Sequence, residues 1–445
     1  MIRRLLIASM LGLISLVSLQ AEEEEGFVSL FNGKNLDGWV NVNGHPSTWS
    51  VRDGLIHCTG EPIAMLRSEK QYQNFIIELE WRHLKSGGNS GLFVWSGPLP
   101  AVGTPFFKGI EVQILDGREA DWYTSQGDVF PTWGATMKPV NGREQLNNMR
   151  AYPTEERTKP SPEWNHYQVT CQDGEISLAV NGEVVTRGLE CNPRKGYLAL
   201  ESEGSPIEFK NIRIKELAAT DVDNELVADQ AEGFESIFSG LDLKGWKTDN
   251  KDHWIAKSGI LLHDGGRGQG GDPNIWTEKE YKNFEMIVDW RWPYNKEQLA
   301  EVPTRARPII LADGSHKKDD DGKEITVDVP DLDSGIYLRG SSKSQINLWT
   351  WLVGSGEVYG YRMDQKMPAD VRAGVTPSES ADKPIGQWNR FHITMQDDLL
   401  TVVLNGKTVL DKAKLPGVPE SGPLALQHHG CKVEFRNLFI KSLDD

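Results

Sequence analysis

Short stretches in which apolar and polar residues alternate recur along the chain, and they predict β-strands. Segments 75–82 and 284–291 show the alternation most clearly, and the apolar row of the first is Phe75, Ile77, Leu79 and Trp81. A period of two places one row on a core and the other toward solvent. Asn181-Gly182 and Asn405-Gly406 are typical hairpin turns. Because we find no long segment with a 3.6-residue period, the pattern predicts an all-β protein.

The chain also carries two copies of one long segment. GFVSLFNGKNLDGW (26–39) returns as GFESIFSGLDLKGW (233–246), and EWNHYQVTCQDGEISLAVNGEVV (163–185) returns as QWNRFHITMQDDLLTVVLNGKTV (387–409). The repeat is too long for a solenoid unit. We therefore predict two domains, residues 26–217 and 233–443, joined by an acidic linker, 218–232. Many short strands with Gly turns in each favour a two-sheet sandwich or jelly roll.

Residues 293–332 have no counterpart in the first copy. Their acidic cluster invites a calcium-loop interpretation, but the glycine falls at the wrong position for that signature. We interpret the segment as a solvated surface insertion.

The start of the chain predicts the compartment. Arg3 and Arg4 precede an apolar run, 5–19, and Ala21 precedes an acidic stretch. This order is typical of a secretory signal peptide, residues 1–21, and the run is short for a membrane span. A signal anchor is the alternative. We expect an exported protein, periplasmic or secreted, that does not span a membrane after cleavage.

Charge and cysteine content narrow the possible partners and crosslinks. A formal net charge of -16 argues against a nucleic-acid partner, because phosphates would not be neutralised. Three of the four cysteines lie in the first half, so at most one disulfide is expected there.

Polar side chains share strand faces at several places, which favours a polar concave cleft over the alternative of solvent-exposed sheet faces. The rows are Glu111 and Gln113; Gln345, Asn347 and Trp349; Glu357, Tyr359 and Tyr361; and Gln427 and His429. Aromatic faces stack on sugar rings and amides bind their hydroxyls. Trp95, Trp349 and Trp351 differ between the copies and are cleft candidates. Hydrolysis by paired carboxylates is not supported, because Glu111 is followed on its face by Gln113.

The landmarks LFNGKNLDGW, YQNFIIELEWR, NSGLF, IEVQILD, VNG and VEFRNLFIK recur in order along the chain. With them, nearly all of both halves resembles the concanavalin A-like family of 3-keto-disaccharide hydrolases, also described as 3-keto-glucoside 1,2-lyase/hydratases. The resemblance implies two tandem concanavalin A-like jelly-roll sandwiches and a carbohydrate substrate.

The resemblance also implies a chemistry. A C3 ketone acidifies the hydrogen on C2, a base removes it, the C1 substituent leaves, and water adds back. Such a site needs a base and an enolate stabiliser, which can be hydrogen-bond donors, an arginine or a divalent metal. The cofactor stays open, with a divalent metal as one option.

Each copy carries part of the family pattern. The first matches E-x-Q-x-x-D with Glu111, Gln113 and Asp116, but it reads Glu201-Ser202-Glu203-Gly204 where the family often has Q-x-H-G. The second keeps Gln427-His428-His429-Gly430, but it has Gln345, Asn347 and Thr350 in place of the acids.

We therefore expect the second copy to be the better catalytic candidate and the first to be a binding module. His429 would be base or ligand, Glu357 the replacement carboxylate, and the donors Arg339, Tyr359, Tyr361 and Arg362. The expected substrate-binding residues are Glu111, Gln113, Asp116, Trp95, Gln345, Asn347, Trp349 and Gln427. Two alternatives stay open: a non-catalytic carbohydrate-binding protein, and an adaptor that holds a protein partner.

Overall fold

The computed structural model describes residues 26–116, 126–141 and 149–444. The predicted signal peptide lies outside this part of the chain. The described residues form two β-sandwiches in tandem, which confirms the predicted all-β, concanavalin A-like jelly-roll fold. None of the helices in these residues is long and apolar enough to cross a membrane.

The first copy consists of two antiparallel sheets. Its strands are β1 (Val28–Ser29), β2 (Trp39–Val42), β3 (Trp49–Arg52), β4 (Leu55–Cys58), β5 (Ala64–Ser68), β6 (Phe75–His83), β7 (Asn89–Ser96), β8 (Gly109–Leu115), β9 (Val129–Thr132), β10 (Thr136–Pro139), β11 (Asn165–Gln172), β12 (Glu175–Val180), β13 (Glu183–Asn192), β14 (Tyr197–Ser202) and β15 (Ile207–Glu216). We call the first sheet the outer sheet; it has the order β10-β13-β12-β11-β6-β15-β4-β3, with β1 also paired to β15. The inner sheet has the order β2-β5-β14-β7-β8-β9.

The second copy repeats this arrangement. Its strands are β16 (Glu235–Ser236), β17 (Trp246–Lys247), β18 (Trp254–Lys257), β19 (Ile260–Asp264), β20 (Ile275–Tyr281), β21 (Phe284–Arg291), β22 (Thr304–Pro308), β23 (Thr326–Pro330), β24 (Asp333–Leu338), β25 (Ser341–Trp349), β26 (Asn389–Gln396), β27 (Leu399–Leu404), β28 (Lys407–Lys414), β29 (Gly422–Leu426) and β30 (Lys432–Ser442). The outer sheet runs β18-β19-β30-β21-β26-β27-β28 with β16 on β30, and the inner sheet runs β17-β20-β29-β24-β25.

Helices are short and lie outside the sheets. They are α1 (Lys296–Ala300), α2 (Tyr359–Arg362), α3 (Ala369–Gly374) and one turn of 3₁₀ helix, Asn224–Leu226. The insertion 293–332 contains α1 and the β22–β23 hairpin. Cys58, Cys171, Cys191 and Cys431 are buried and free, so the described part of the chain holds no disulfide.

The alternating segments form central strands because the apolar row of each is buried in the core. In β6 the side chains of Ile77, Leu79 and Trp81 are buried in the core between the sheets. The hairpin pairs behave as predicted too, since Asn181 and Gly182 both have positive φ, 48° and 95°. Such left-handed residues match the twist of the flanking strands.

The two copies share an apolar interface. From the inner sheet of the first copy and its neighbouring loop, Val42, Met65, Phe93, Phe107 and Ala199 pack against Ile287 and Phe439 on the outer sheet of the second. The outer sheet of the second copy therefore covers part of the inner sheet of the first, on the face that points away from the core of the first copy. We call this face the concave face.

Residues 97–107, here called the docking loop, add hydrogen bonds to this interface. Asp289 accepts from the backbone N–H of Gly103 at 2.8 Å, and Asn437 Nδ2 donates to the carbonyl of Thr104 at 2.9 Å. Arg436 Nη1 donates to the carbonyl of Gly103 at 2.8 Å. Gly103 is required here, because a Cβ on it would stand 2.3 Å from the indole of Trp388.

Candidate active site

Two glutamates from different strands converge over one glycine on the concave face of the first copy. Glu111 lies on β8, Glu201 on β14, and β7 runs between them. Leu200 pairs with Leu92, which brings Glu201 level with Gly91. Glu111 Oε1 and Glu201 Oε2 lie 2.9 and 3.1 Å from the position that a Cβ on Gly91 would occupy. A glycine is therefore what allows the two carboxyl groups to approach.

Both carboxyl groups are removed from solvent, with Glu111 7% and Glu201 1% exposed. Burial, together with the negative charges of Glu203 and Asp128, raises the pKa of Glu111 to about 8, against the opposing effect of Arg150. Burial and the charges of Glu203 and Glu111 also raise the pKa of Glu201 well above its usual range. Two such groups cannot both ionise near neutral pH, so the pair retains at least one proton.

Polar neighbours surround this pair. Asn89 Nδ2 donates to the carboxylate of Glu203, and Gln113 Nε2 donates to Asn89 Oδ1 at 2.5 Å. Arg150 contacts Asp128 at 3.0 Å. The Arg150 guanidinium also lies 3.4 Å above the ring of Phe130, the cross-strand neighbour of Glu111. We call Glu111, Glu201, Glu203 and Asp128 the carboxyl cluster.

This arrangement supplies two complementary groups. A protonated carboxyl donates a hydrogen bond or a proton, and an ionised carboxylate accepts one, so a buried pair can act as acid and base together. Spacing along one strand does not predict the pair, because Gln113 and not an acid follows Glu111 on its face. The partner lies across β7, on a strand about 90 residues later, and only the sheet order brings it close.

The second copy has amides at the same two places. Gln345 lies opposite Tyr337 in the ladder as Glu111 lies opposite Phe93. Gln427 directly follows β29, and Glu201 is the last residue but one of β14. Gln345 Nε2 donates to Gln427 Oε1 at 2.9 Å and to Asn347 Oδ1 at 2.6 Å. This amide pair, Gln345 and Gln427, cannot titrate, and its members are joined by a hydrogen bond.

The expected catalytic set of the second copy does not form one site, so that expectation is wrong. His429 is half exposed and lies 3.9 Å from Asp333. Glu357 is fully buried in an ion pair with Arg362, and burial raises its pKa to about 7 against the effect of that arginine. Among the described contacts, His429 and Glu357 have no partner in common.

Residues 359–362 form the short helix α2, so the predicted strand row of Glu357, Tyr359 and Tyr361 is wrong. Tyr361 turns into the core, where its hydroxyl donates to the carbonyl of Pro416 at 3.3 Å. Tyr359 is partly exposed, with the Arg362 guanidinium 5.4 Å from its ring. The structure thus brings Glu357, Arg362 and Tyr359 together as a packed unit.

Arg339 and Trp95 occupy equivalent positions and have the same structural role, which corrects both assignments. Each has positive φ at the end of its strand, 50° and 51°. Arg339 Nε donates to the carbonyl of Lys282 and Trp95 Nε1 to that of Gln73, both at 2.7 Å. Both side chains are buried, so neither faces a cleft.

Trp349 and Asp116 are also held by the fold. Trp349 is buried, its ring stacks on Trp351 at 4.2 Å, and its N–H donates to the carbonyl of Gly354. The Asp116 oxygens accept from the backbone N–H groups of Gly87 and Ser161 at 3.0 and 3.1 Å. These side chains fix loops instead of presenting free faces to a ligand.

The prediction of a divalent metal stays a prediction. Across residues 26–116, 126–141 and 149–444, no group of three or more His, Cys, Asp or Glu side chains is placed to hold a metal ion.

Fold and site together define a tandem concanavalin A-like sandwich protein with a buried carboxyl pair in its first copy. Residues 26–215 and 233–441 each match the model of the 3-keto-alpha-glucoside-1,2-lyase-like domain. The chain belongs to this family.

Named relatives are similar over part of the chain. A 3-keto-disaccharide hydrolase of Bacteroides thetaiotaomicron is 22% identical over 293 residues, which are 58% of this chain and 94% of that protein. A Parabacteroides distasonis protein solved as a candidate glycosyl hydrolase is 28% identical, with a TM-score of 0.34, over 44% of this chain and 95% of its own. The carbohydrate-binding module CBM66 of Bacillus subtilis is 14% identical, with a TM-score of 0.31, over 40% and 96%.

Proposed function

We propose that the first copy cleaves 3-keto-glycosides at C1, and that the chain does so outside the cytoplasm after loss of residues 1–21. The observation that carries the proposal is the buried carboxyl pair over Gly91, which holds a proton near neutral pH. The substrate class comes from the family and from the name of the Bacteroides relative.

In this proposal Glu111 is the base and Glu201 the acid. The proton on C2 moves to Glu111, and the C–H electron pair forms an enolate with the C3 ketone. As the enolate collapses to the C1–C2 double bond, the C1–O bond breaks and the leaving oxygen takes the proton of Glu201. Water then adds across the double bond. Glu201 accepts a proton from the water while the water oxygen bonds to C1, and Glu111 returns its proton to C2. Both side chains are regenerated, and the net result is hydrolysis.

The electrostatics of the cluster agree with these roles. A base is most effective when its pKa lies near the working pH, and the pKa of Glu111 is raised to about 8. Arg150 places a positive charge near the pair, where it would offset the negative charge that develops on the enolate.

The test is turnover of a 3-keto-disaccharide by the purified chain, with release of 3-keto-glucose followed by mass spectrometry. We expect Glu201→Gln to lower kcat about 10²- to 10⁴-fold, because the amide cannot give up a proton. Gln427→Asn, at the equivalent position of the second copy, is the matched control and should leave turnover unchanged. No loss in Glu201→Gln would show that the first copy is not the catalytic one, and equal losses in both variants would show that the first copy does not act alone.

A second function is supported by the amide pair of the second copy. Amides bind sugar hydroxyls without changing protonation, so this copy fits a carbohydrate-binding role. If the chain binds sugars but releases no product under any metal supplement, a non-catalytic carbohydrate-binding protein is the better description.

A further inference from the structure

We propose that Trp133, stacked on Phe106, is a carbohydrate platform that binds the leaving-group sugar ring of the substrate. The proposal rests on the proposed function of the first copy. Trp133 directly follows β9, the edge strand beside Glu111. Its side chain is among the most exposed large hydrophobic groups of the described residues, with 53% of the residue accessible.

The ring of Trp133 stacks on the ring of Phe106. Its centroid lies 6.2 Å from that of Phe106, with 13° between the ring planes. Three partly buried indoles have a cation over the ring: Arg82 lies 4.6 Å from Trp164, Arg307 4.7 Å from Trp351, and Arg291 4.7 Å from Trp388. Among the described contacts no cation covers Trp133, and the 53% exposure of this residue leaves area for a ligand to contact.

The backbone presents this indole in an uncommon conformation. Trp133 has φ of 50°, in the left-handed region that bulky residues rarely adopt. The neighbouring Thr132 hydroxyl donates to the carbonyl of Phe107 at 2.8 Å, which ties the end of β9 to the docking loop. A conformation of this cost persists where the surroundings impose it, and such positions concentrate at functional sites.

The platform lies within reach of the carboxyl pair. Phe130 is directly opposite Glu111 in the ladder, and Trp133 is three residues further along. At the rise of a β-strand this is roughly 10 Å. A disaccharide spans such a distance, so one ring can lie at Glu111 and Glu201 while the other stacks on Trp133. Indole rings suit the apolar face of a neutral sugar.

The second copy contributes to this site through the docking loop. Phe106 belongs to that loop, which Asp289, Arg436 and Asn437 of the second copy hold by hydrogen bonds. The platform is therefore fixed relative to the carboxyl pair by a contact between the copies, and binding costs little ordering.

The experiment compares Trp133→Ala with the wild-type chain on two substrates, a 3-keto-disaccharide and methyl 3-keto-glucoside. We expect KM for the disaccharide to rise roughly tenfold with kcat little changed, and KM for the methyl glycoside to stay constant. Trp164→Ala, on the outer sheet, is the matched control and should leave both values unchanged. An unaltered KM for the disaccharide in Trp133→Ala would overturn the proposal.

Calorimetry with cellobiose separates this proposal from the proposed function. If the wild-type chain releases no product but Trp133→Ala still lowers cellobiose affinity about tenfold, the platform stands and the catalytic proposal fails. Turnover that is present and insensitive to Trp133→Ala leaves the catalytic proposal and removes the platform. A wild-type chain that neither turns over nor binds cellobiose overturns both.

Discussion

The two copies share one sandwich and differ at its concave centre. Where the first copy places Glu111 and Glu201 over Gly91, the second places Gln345 over Gly335 and joins it to Gln427 by a hydrogen bond. The carboxyl pair is buried with raised pKa values, while the amide pair satisfies itself with a hydrogen bond. Since a hydrogen-bonded amide pair costs folding less than a buried carboxyl pair, the raised pKa values make the first copy the candidate functional site.

A second exchange lies beside the first. In the first copy Asn89 donates to the carboxylate of Glu203, whereas at the equivalent positions the second copy has Asp333 near His429. The acidic residue is Glu203 in the first copy, whereas in the second it is Asp333, at the position equivalent to Asn89. A departure from the family motif can thus bring a different set of groups together, because Glu201-Ser202-Glu203-Gly204 supplies acids that the second copy lacks.

The largest expected effect comes from transferring the acids to the second copy. The double variant Gln345→Glu with Gln427→Glu replaces a hydrogen bond by two carboxyl groups in contact. We expect the free energy of unfolding at pH 8, measured in urea, to fall by about 2 kcal/mol or more. The loss should shrink at pH 4, where the groups are protonated. Equal stability at both pH values would show that this position is well solvated and that burial does not distinguish the copies.

A smaller effect is expected from filling the central glycines. Gly91→Ala places a methyl group about 3 Å from both carboxyl groups and should lower turnover roughly tenfold by displacing them. Gly335→Ala presses on the Gln345 amide, 2.3 Å away, and should lower stability without lowering turnover. If both variants lose turnover equally, the two concave faces act together and the assignment to one copy is wrong.

The smallest expected effect is on pH dependence. Turnover should rise as pH increases through about 8, because Glu111 must ionise to act as base. Stability should change in the opposite sense. Glu111 binds its proton more tightly in the folded chain, so its contribution is complete below the unfolded pKa and is lost as pH rises through about 8.

Glu111→Gln checks this pH dependence. We expect the free energy of unfolding of this variant, measured in denaturant, to fall less as pH rises through about 8. A slope that is unaltered by Glu111→Gln would assign the titration to another group.

Much of the fold was predictable because its determinants are local. The alternating rows of β6 and β21 and the Asn-Gly turns act over a few residues, and the duplication made the two domains visible as a repeat. Local spacing predicted a strand for residues 354–362, and this was wrong. The tyrosines of this segment lie in a helical turn, and Glu357 forms an ion pair with Arg362 of that turn.

Candidate residues were harder to assign, because a polar or aromatic residue on a strand has two possible environments. Trp95 and Arg339 looked like cleft residues, yet both turn inward at a left-handed position to bind a backbone carbonyl. Glu111 was found from its row, but the partner Glu201 was not.

By itself the amino-acid order determined the class of structure, the duplication and the family pattern, since each depends on which residues follow one another at short range. The tertiary structure alone decided which carboxyl groups meet, which glycine lets them approach, and that the second copy covers and braces the concave face of the first. Those facts depend on the order of strands within a sheet and on contacts between residues far apart in the chain. No period along the sequence encodes such contacts.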